Sequence, residues 1–345
     1  MAYNFNEIGL EKGMYGVSGK SFTEVLENLD PSENYKGTAL EGLDAYQRQL
    51  KRFDIKVRGA GSDMVEKFFS TTASSVLFPE YVSRSVRAGM EEGNILPAIT
   101  ATVTNFDGMD YRSIYSTPTD DDKTLRRVAE GSVIPQTEVR AGAHTVSLHK
   151  RGRMLVASYE AIRFQRLDLF SVMLRQIGSQ IMRMHLDDAI EVIRKGDGNQ
   201  NPAESYTIGD AVIGGTAGTL TYDALLKFWN EFDPYNLNTL LVAPDAMLKM
   251  LSLQVFQDAA AGLNFQGTGD LANPLGAKLI KSGAVPAGTI IGLDRGYALE
   301  MIQGSDVSVE YDRLIDRQLE RAAITSISGF AKLYTDASRV LSIGG

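Results

Sequence analysis

The sequence predicts an α+β chain, on three observations. Residues 107–149 alternate like strands but hold few core residues. One unusually long amphipathic helix follows, Leu167–Lys195, and the chain then changes to short strands mixed with short helices. The length of 345 residues suits two domains, or one domain with extensions.

Near the start, Ser21-Phe22-Thr23-Glu24 is a capping box that opens a helix. From Ala39 to Val57 the apolar residues Leu40, Leu43, Tyr46, Leu50, Phe53 and Val57 recur at spacings of three and four. That narrow stripe predicts a helix that packs on a partner helix. Its later turns carry Arg48, Lys51, Arg52, Lys56 and Arg58 against the single acid Asp54. The cluster either complements the helix dipole or faces an acidic partner such as scaffold or packaged DNA. Gly59-Ala60-Gly61-Ser62 predicts a hinge, and Val76–Val82 leads into a short helix that stops near Glu92-Gly93.

Ile99–Val103 reads as a strand and Asn105-Phe106-Asp107-Gly108 as a tight turn, followed by strands at Tyr111–Tyr115 and His144–His149. An arm of this kind buries little by itself, so its packing partner is expected on another subunit. The long helix spans roughly 43 Å at 1.5 Å per residue. Its inner stripe is read as Phe170, Met173, Leu174, Ile177, Ile181, Met184, Ala189 and Ile193, with Gly196 and Gly198 closing it. Beyond the Gly214–Gly218 linker come a helix at Thr221–Phe232, a buried strand at Thr239–Ala243, and a helix at Asp245–Leu253 opened by Pro244. Strands are predicted at Lys278–Lys281, Thr289–Leu293, Ala298–Ile302 and Val307–Tyr311, and strand-like alternation from Leu319 to Leu341.

Several function classes are disfavoured. There is no Cys, so neither a disulfide framework nor a thiolate metal site exists. Met1–Leu10 lacks the pattern of a secretory signal, and no window approaches the about 20 apolar residues of a membrane span. A net charge of −8 argues against a dedicated nucleic-acid binder but allows a container for DNA. His144 and His149, five apart on one predicted strand, are expected on opposite faces. His185, with Asp188 on the same helix face, reads as a surface or interface histidine. Asp120-Asp121-Asp122 reads as a solvated loop tip or as the acidic half of an ion pair with Arg126 or Arg127 of a neighbouring subunit. Gly214–Gly218 lacks the Lys of a phosphate loop, and no hydrolase or zinc-protease motif occurs. No catalysis, cofactor or metal is expected.

The order of elements resembles the Hong Kong 97-type capsid fold of tailed bacteriophages, herpesvirus shells and encapsulins. Val128-Ala129-Glu130-Gly131-Ser132-Val133-Ile134-Pro135 is similar to a stretch of that family's extended loop. Val146–Lys150 and Leu155–Glu160 are similar to the strand that runs into its spine helix. Leu240–Pro244, Pro274–Ile280, Val285–Thr289 and Ala298-Leu299 resemble its axial domain. The resemblance covers about residues 70 to 345, and the first seventy residues are similar to N-terminal regions of some phage capsid proteins.

The resemblance implies an N-terminal extension or arm at 1–75, an extended loop at 107–149, a peripheral domain at 76–106, 150–220 and 310–345, and an axial domain at 221–309. It implies a major capsid protein that forms pentamers and hexamers of an icosahedral head around double-stranded DNA. A portal, and scaffold, cement or decoration proteins, would be partners; assembly is expected in the bacterial cytoplasm and residence in the virion. Leu43, Leu50, Phe53, Phe106, Asp120, Asp121, Asp122, Arg126, Arg127 and Glu130 are the interface candidates. Some relatives crosslink through a loop lysine, but Glu130–Pro135 carries none, the nearby candidate position being Ile134 and the one loop lysine Lys123. Non-covalent interfaces are therefore expected. With residues 1–58 retained, the helix at Ala39–Val57 is expected to act as a permanent clasp between subunits. An encapsulin shell protein is the alternative reading, and an unrelated α/β enzyme the more distant one.

Overall fold

The computed structural model describes residues 4–17, 19–108, 111–112, 114–115, 127–128, 130, 140–141, 144–158, 161, 164–258, 273–314 and 316–344. Its principal helices are α1 (Phe22–Leu29), α2 (Ala45–Arg52), α3 (Phe78–Glu92), α4 (Leu167–Lys195), α5 (Tyr222–Asn230) and α6 (Pro244–Leu251). Its strands are β1 (Thr102–Asn105), β2 (Ile114–Tyr115), β3 (Arg140–Ala141), β4 (His149–Ser158), β5 (Glu204–Thr207), β6 (Thr239–Val242), β7 (Lys278–Lys281), β8 (Thr289–Leu293), β9 (Leu299–Leu314), β10 (Leu319–Lys332) and β11 (Ser338–Ser342). Two compact units result, one from residues 1–93, 150–182 and 306–326, the other from 94–149, 183–305 and 327–345.

In the first unit, Ser21 and Glu24 form the expected capping box: the Ser21 hydroxyl accepts from the Glu24 amide, and the Glu24 carboxylate accepts from the Ser21 amide. The helix predicted over Ala39–Val57 is shorter. Asp44 caps the Gln47 amide and starts α2 at Ala45, while Asp54 adopts φ 51° and ends it. Neither α1 nor α2 is a free arm. Phe22, Leu26, Tyr46 and Leu50 belong to one buried cluster with Phe78, Tyr81, Val86, Phe170 and Leu174. The hydroxyls of Tyr15 and Tyr46 donate to the carbonyls of Val76 and Leu77, at 2.7 and 3.1 Å. Helices α3 and α4 meet through glycine. A Cβ at Gly178 would lie 2.0 Å from the Val86 carbonyl oxygen, and one at Gly89 would lie 2.0 Å from that of Arg175.

In the second unit a five-stranded sheet has the order β5-β11-β8-β6-β7. β6 pairs in parallel with β7 (Thr239 opposite Lys278) and antiparallel with β8 (Thr239 opposite Leu293). Both β6 and β8 are buried along their whole length, so they read as continuous apolar runs and not as alternating ones. Phe228 and Phe232 are buried beside them in sequence-distant α5 and its exit. A second sheet has the order β1-β9-β10-β4. β9 is a single 16-residue strand where two were predicted, at Ala298–Ile302 and Val307–Tyr311. The predicted strand His144–His149 is instead a bridge from Val146 to Tyr111, with β4 beginning at His149.

Candidate functional site

A surface that joins copies needs presentable groups on a rigid support. The stem of the long arm has such support within its own chain. Phe106 stacks edge-on against Tyr111 with centroids 5.2 Å apart, and both pack on Val146, Ile302 and Ala331. The Tyr111 hydroxyl donates to Glu300 at 2.7 Å, and Thr104 donates to the same oxygen. Burial, reinforced by that carboxylate, pushes the Tyr111 phenol up to about 12. Phe106 is thus half-buried in its own stem. Arg127 and Glu130 are exposed. Asp120, Asp121, Asp122, Arg126, Lys123 and Ile134 lie outside the described residues.

The basic cluster does not form one surface. Arg48 is fully buried. Its Nε donates to Asp30 Oδ2 at 2.7 Å, its Nη1 to Ser32 Oγ at 2.9 Å and to the Leu43 carbonyl at 2.6 Å, and its Nη2 to the Asp30 carbonyl. The guanidinium also lies 4.3 Å over the Tyr35 ring. Arg52 is half-buried and donates to the Ile8 carbonyl at 2.8 Å. Lys51, Lys56 and Arg58 alone are exposed, so of the five predicted cations three can meet an outside partner. Among the predicted contact residues of this segment, Leu50 is buried in the chain's own core, and Phe53 and Leu43 are partly buried.

The helix α4 departs from its predicted inner stripe at two places: Met173 is 44 % and Met184 47 % exposed. In the first unit, Leu169 and Val172 of the same helix, Phe164 before it, and Met154 and Val156 of β4 are exposed as well. These side chains are open to contact by a partner. His185 is buried, not superficial, because it lies between Ile181 and Ala189 on the buried side of the helix. His144 and His149, predicted on opposite faces, line one depression with Asp188, Glu191 and Lys195, since the segment between them is not a regular strand. Among the described residues no group of three or more His, Asp or Glu side chains is placed to hold a metal ion. Among the same residues, no helix is long and apolar enough to cross a membrane.

The phage capsid protein family matches residues 142–330, more than half of the chain. The chain belongs to the phage capsid protein family. No curated protein matches it by sequence. Its fold is similar to the capsid of a native GTA particle, with a TM-score of 0.53 and 14 % identity over 72 % of this chain and 90 % of that one. It is also similar to the protein of Microbacterium phage Oxtober96 (TM-score 0.51, 12 % identity, 72 % and 91 % covered). A virus-like particle from Pyrococcus furiosus matches with TM-score 0.50 and 13 % identity, over 77 % of this chain and 99 % of that chain. The fold is therefore the Hong Kong 97 type. As a major capsid protein, the chain is a structural subunit of the virion shell and not an enzyme, and its principal partner is itself.

Proposed function

We propose that this capsid protein builds the icosahedral head of a tailed phage from pentamers and hexamers, enclosing double-stranded DNA without sequence-specific contacts. The observation that carries the reading is the family match over residues 142–330. The net charge of −8 supports a container that leaves its DNA free to move, and Lys51, Lys56 and Arg58 are the exposed cations that the predicted basic cluster leaves for any attraction. Within this reading residues 221–309 form the axial domain, 76–106, 150–220 and 310–345 the peripheral domain, and 107–149 the extended loop laid across a neighbour. Residues 1–75 are the N-terminal extension. The exposed side chains of Phe164, Leu169, Val172 and Met173 suit such a contact. The interfaces are non-covalent; a portal, and scaffold or cement proteins, complete the particle, which assembles in the host cytoplasm.

Electron microscopy of the purified full chain tests the reading: uniform closed icosahedral shells are expected, and they should dissolve to single chains in hot detergent. A compact monomer would refute it. Shells that carry one co-purified enzyme and no DNA would favour an encapsulin, whereas a detergent-resistant ladder of chains would refute non-covalent closure.

A further inference from the structure

In the second unit three tyrosines far apart in sequence form a closed triangle. The ring centroids of Tyr235 and Tyr297 are 5.7 Å apart, those of Tyr235 and Tyr334 6.0 Å, and those of Tyr297 and Tyr334 5.8 Å. The planes are inclined at 55°, 46° and 76°, so the rings form walls and not a flat stack. Tyr297 is half exposed, and the other two are partly so.

The main chain holds the triangle in place. The Tyr334 amide donates to the Tyr297 carbonyl at 3.2 Å, and the Tyr297 amide donates to the Asp294 carbonyl at 3.1 Å. The buried Asp294 carboxylate accepts from the Asn236 amide at 2.9 Å, from Asn238 Nδ2 at 2.8 Å and from the Gly296 amide at 3.0 Å. Large rings presented without freedom to collapse lose little entropy on meeting a partner.

Acidic groups lie beside the rings, and the Asp336 charge acts on Lys332 as well as on Tyr235. Aromatic faces are electron-rich. Burial, the Asp336 charge, the neighbouring Tyr334 and the Asp294 charge together push the Tyr235 phenol up to about 12. The one buried cation nearby, Lys332, turns its Nζ inward to the Thr335 carbonyl at 3.4 Å. Among the described residues the cation–ring contacts lie elsewhere, with Arg48 over Tyr35, Arg52 over Phe53, Arg84 over Tyr46 and Arg339 over Tyr206 and Phe232. The triangle is preorganised and electronegative, and it stands at the surface.

We propose that Tyr235, Tyr297 and Tyr334, backed by Asp336 and Asp294, form a seat for a lysine or arginine side chain of a second copy of this chain. The occupant follows from charge complementarity and from self-assembly: the neighbour in a shell is another copy, and each copy carries 35 Lys and Arg residues. The inference rests on the shell reading above and adds a named contact to it.

Hydroxyl-radical footprinting of the native full chain, compared between unassembled subunits and closed shells, tests the seat directly. Modification of Tyr297 and Tyr334 should fall to a small fraction of its subunit rate on closure. Equal reactivity in both states would overturn the proposal while leaving the shell reading intact, and would mark the seat as facing some other partner. Failure to form any shell would remove both. The cation is tested by substitution, with circular dichroism as the check on folding. Y297L/Y334L keeps apolar bulk but loses the ring faces, and should raise the concentration needed for assembly roughly 3- to 30-fold. Y297F/Y334F keeps the faces and should assemble as the native chain does. A leucine pair that assembles at the native concentration would refute a cationic occupant, and if that pair fails to fold, the footprint of the native chain decides.

Discussion

Replacing Arg48 by alanine is expected to destabilise the unassembled subunit by about 4 kcal/mol, with about 3 kcal/mol as the lower bound. The magnitude follows from what is left behind. Asp30 is 3 % exposed, and without Arg48 its side chain keeps the Tyr35 hydroxyl, at 2.6 Å, as its remaining side-chain donor. The Asp30 and Leu43 carbonyls also lose a donor each. Breaking a buried pair by removing one partner costs about 3–5 kcal/mol. An orphaned buried acceptor costs about 1–3 kcal/mol more, but water entering the vacated space offsets much of this, so the costs do not add.

Urea unfolding followed by circular dichroism reads the effect as a lower midpoint at unchanged slope. The exposed neighbour Lys51→Ala should stay within about 0.5 kcal/mol of the native chain. Arg48→Lys should not restore stability, because an ammonium cannot reproduce the fork that spans Asp30, Ser32 and Leu43. Asp30→Asn combined with Arg48→Met should recover part of the loss, since both charges are then gone. An Arg48→Ala subunit as stable as the Lys51→Ala control, yet altered in DNA content or scaffold use, would refute the buried role and return Arg48 to the basic surface.

Three further outcomes are expected. Gly178→Ala gains about 1 kcal/mol of helix propensity but meets backbone at 2.0 Å, which no rotamer relieves; a net loss of about 2 kcal/mol should lower the melting temperature, and a higher one would contradict the close α3–α4 packing. Burial holds the Lys332 ammonium down to about 8 from an ordinary 10.5; the unfolded chain therefore binds the extra proton between those values, and stability should rise from pH 8 to 10 by on the order of 2 kcal/mol. Lys332→Met should abolish that rise, and an unchanged pH profile would show that Lys332 is solvated. Glu300→Ala removes the shared acceptor of Thr104 and Tyr111, so limited proteolysis within residues 107–149 should accelerate several-fold, and an unchanged cleavage rate would show that the stem does not depend on it.

What the sequence made legible was local. The bounds of α4 and of the predicted strands at Lys278–Lys281 and Thr289–Leu293 agree with the structure, because a long 3.6-residue period and short apolar runs between turn residues are strong signals. The capping boxes at Ser21 and Asp44 are visible in sequence, but the one at Asp44 lies beneath a longer apolar stripe that predicts a helix over all of Ala39–Val57. Gly304-Ser305-Asp306 imitates a turn, yet Gly304 lies inside β9 where an added Cβ would meet Ile327 at 3.0 Å. The missing side chain there permits close approach of two strands and makes no bend. Arg48 joined a basic cluster because its partner Asp30 lies 18 residues earlier, and the tyrosine triangle draws on three separate segments. No local pattern carries such information.

Met173 and Met184 follow from a different cause. Hydrophobic periodicity records which residues leave water, not which molecule covers them. In a chain that folds alone the two are the same, and a stripe wider than the core needs looks like noise. In a shell subunit, residues at the margin of the stripe leave water when a second copy arrives, so the period runs past the intrachain core and onto the interface. Leu169, Val172, Met173 and Met184 of α4 are exposed in the single chain, as that argument requires. A helix whose apolar stripe exceeds the face its own fold can bury is therefore a sequence sign of assembly, and in this capsid protein it appears on the longest helix of the chain.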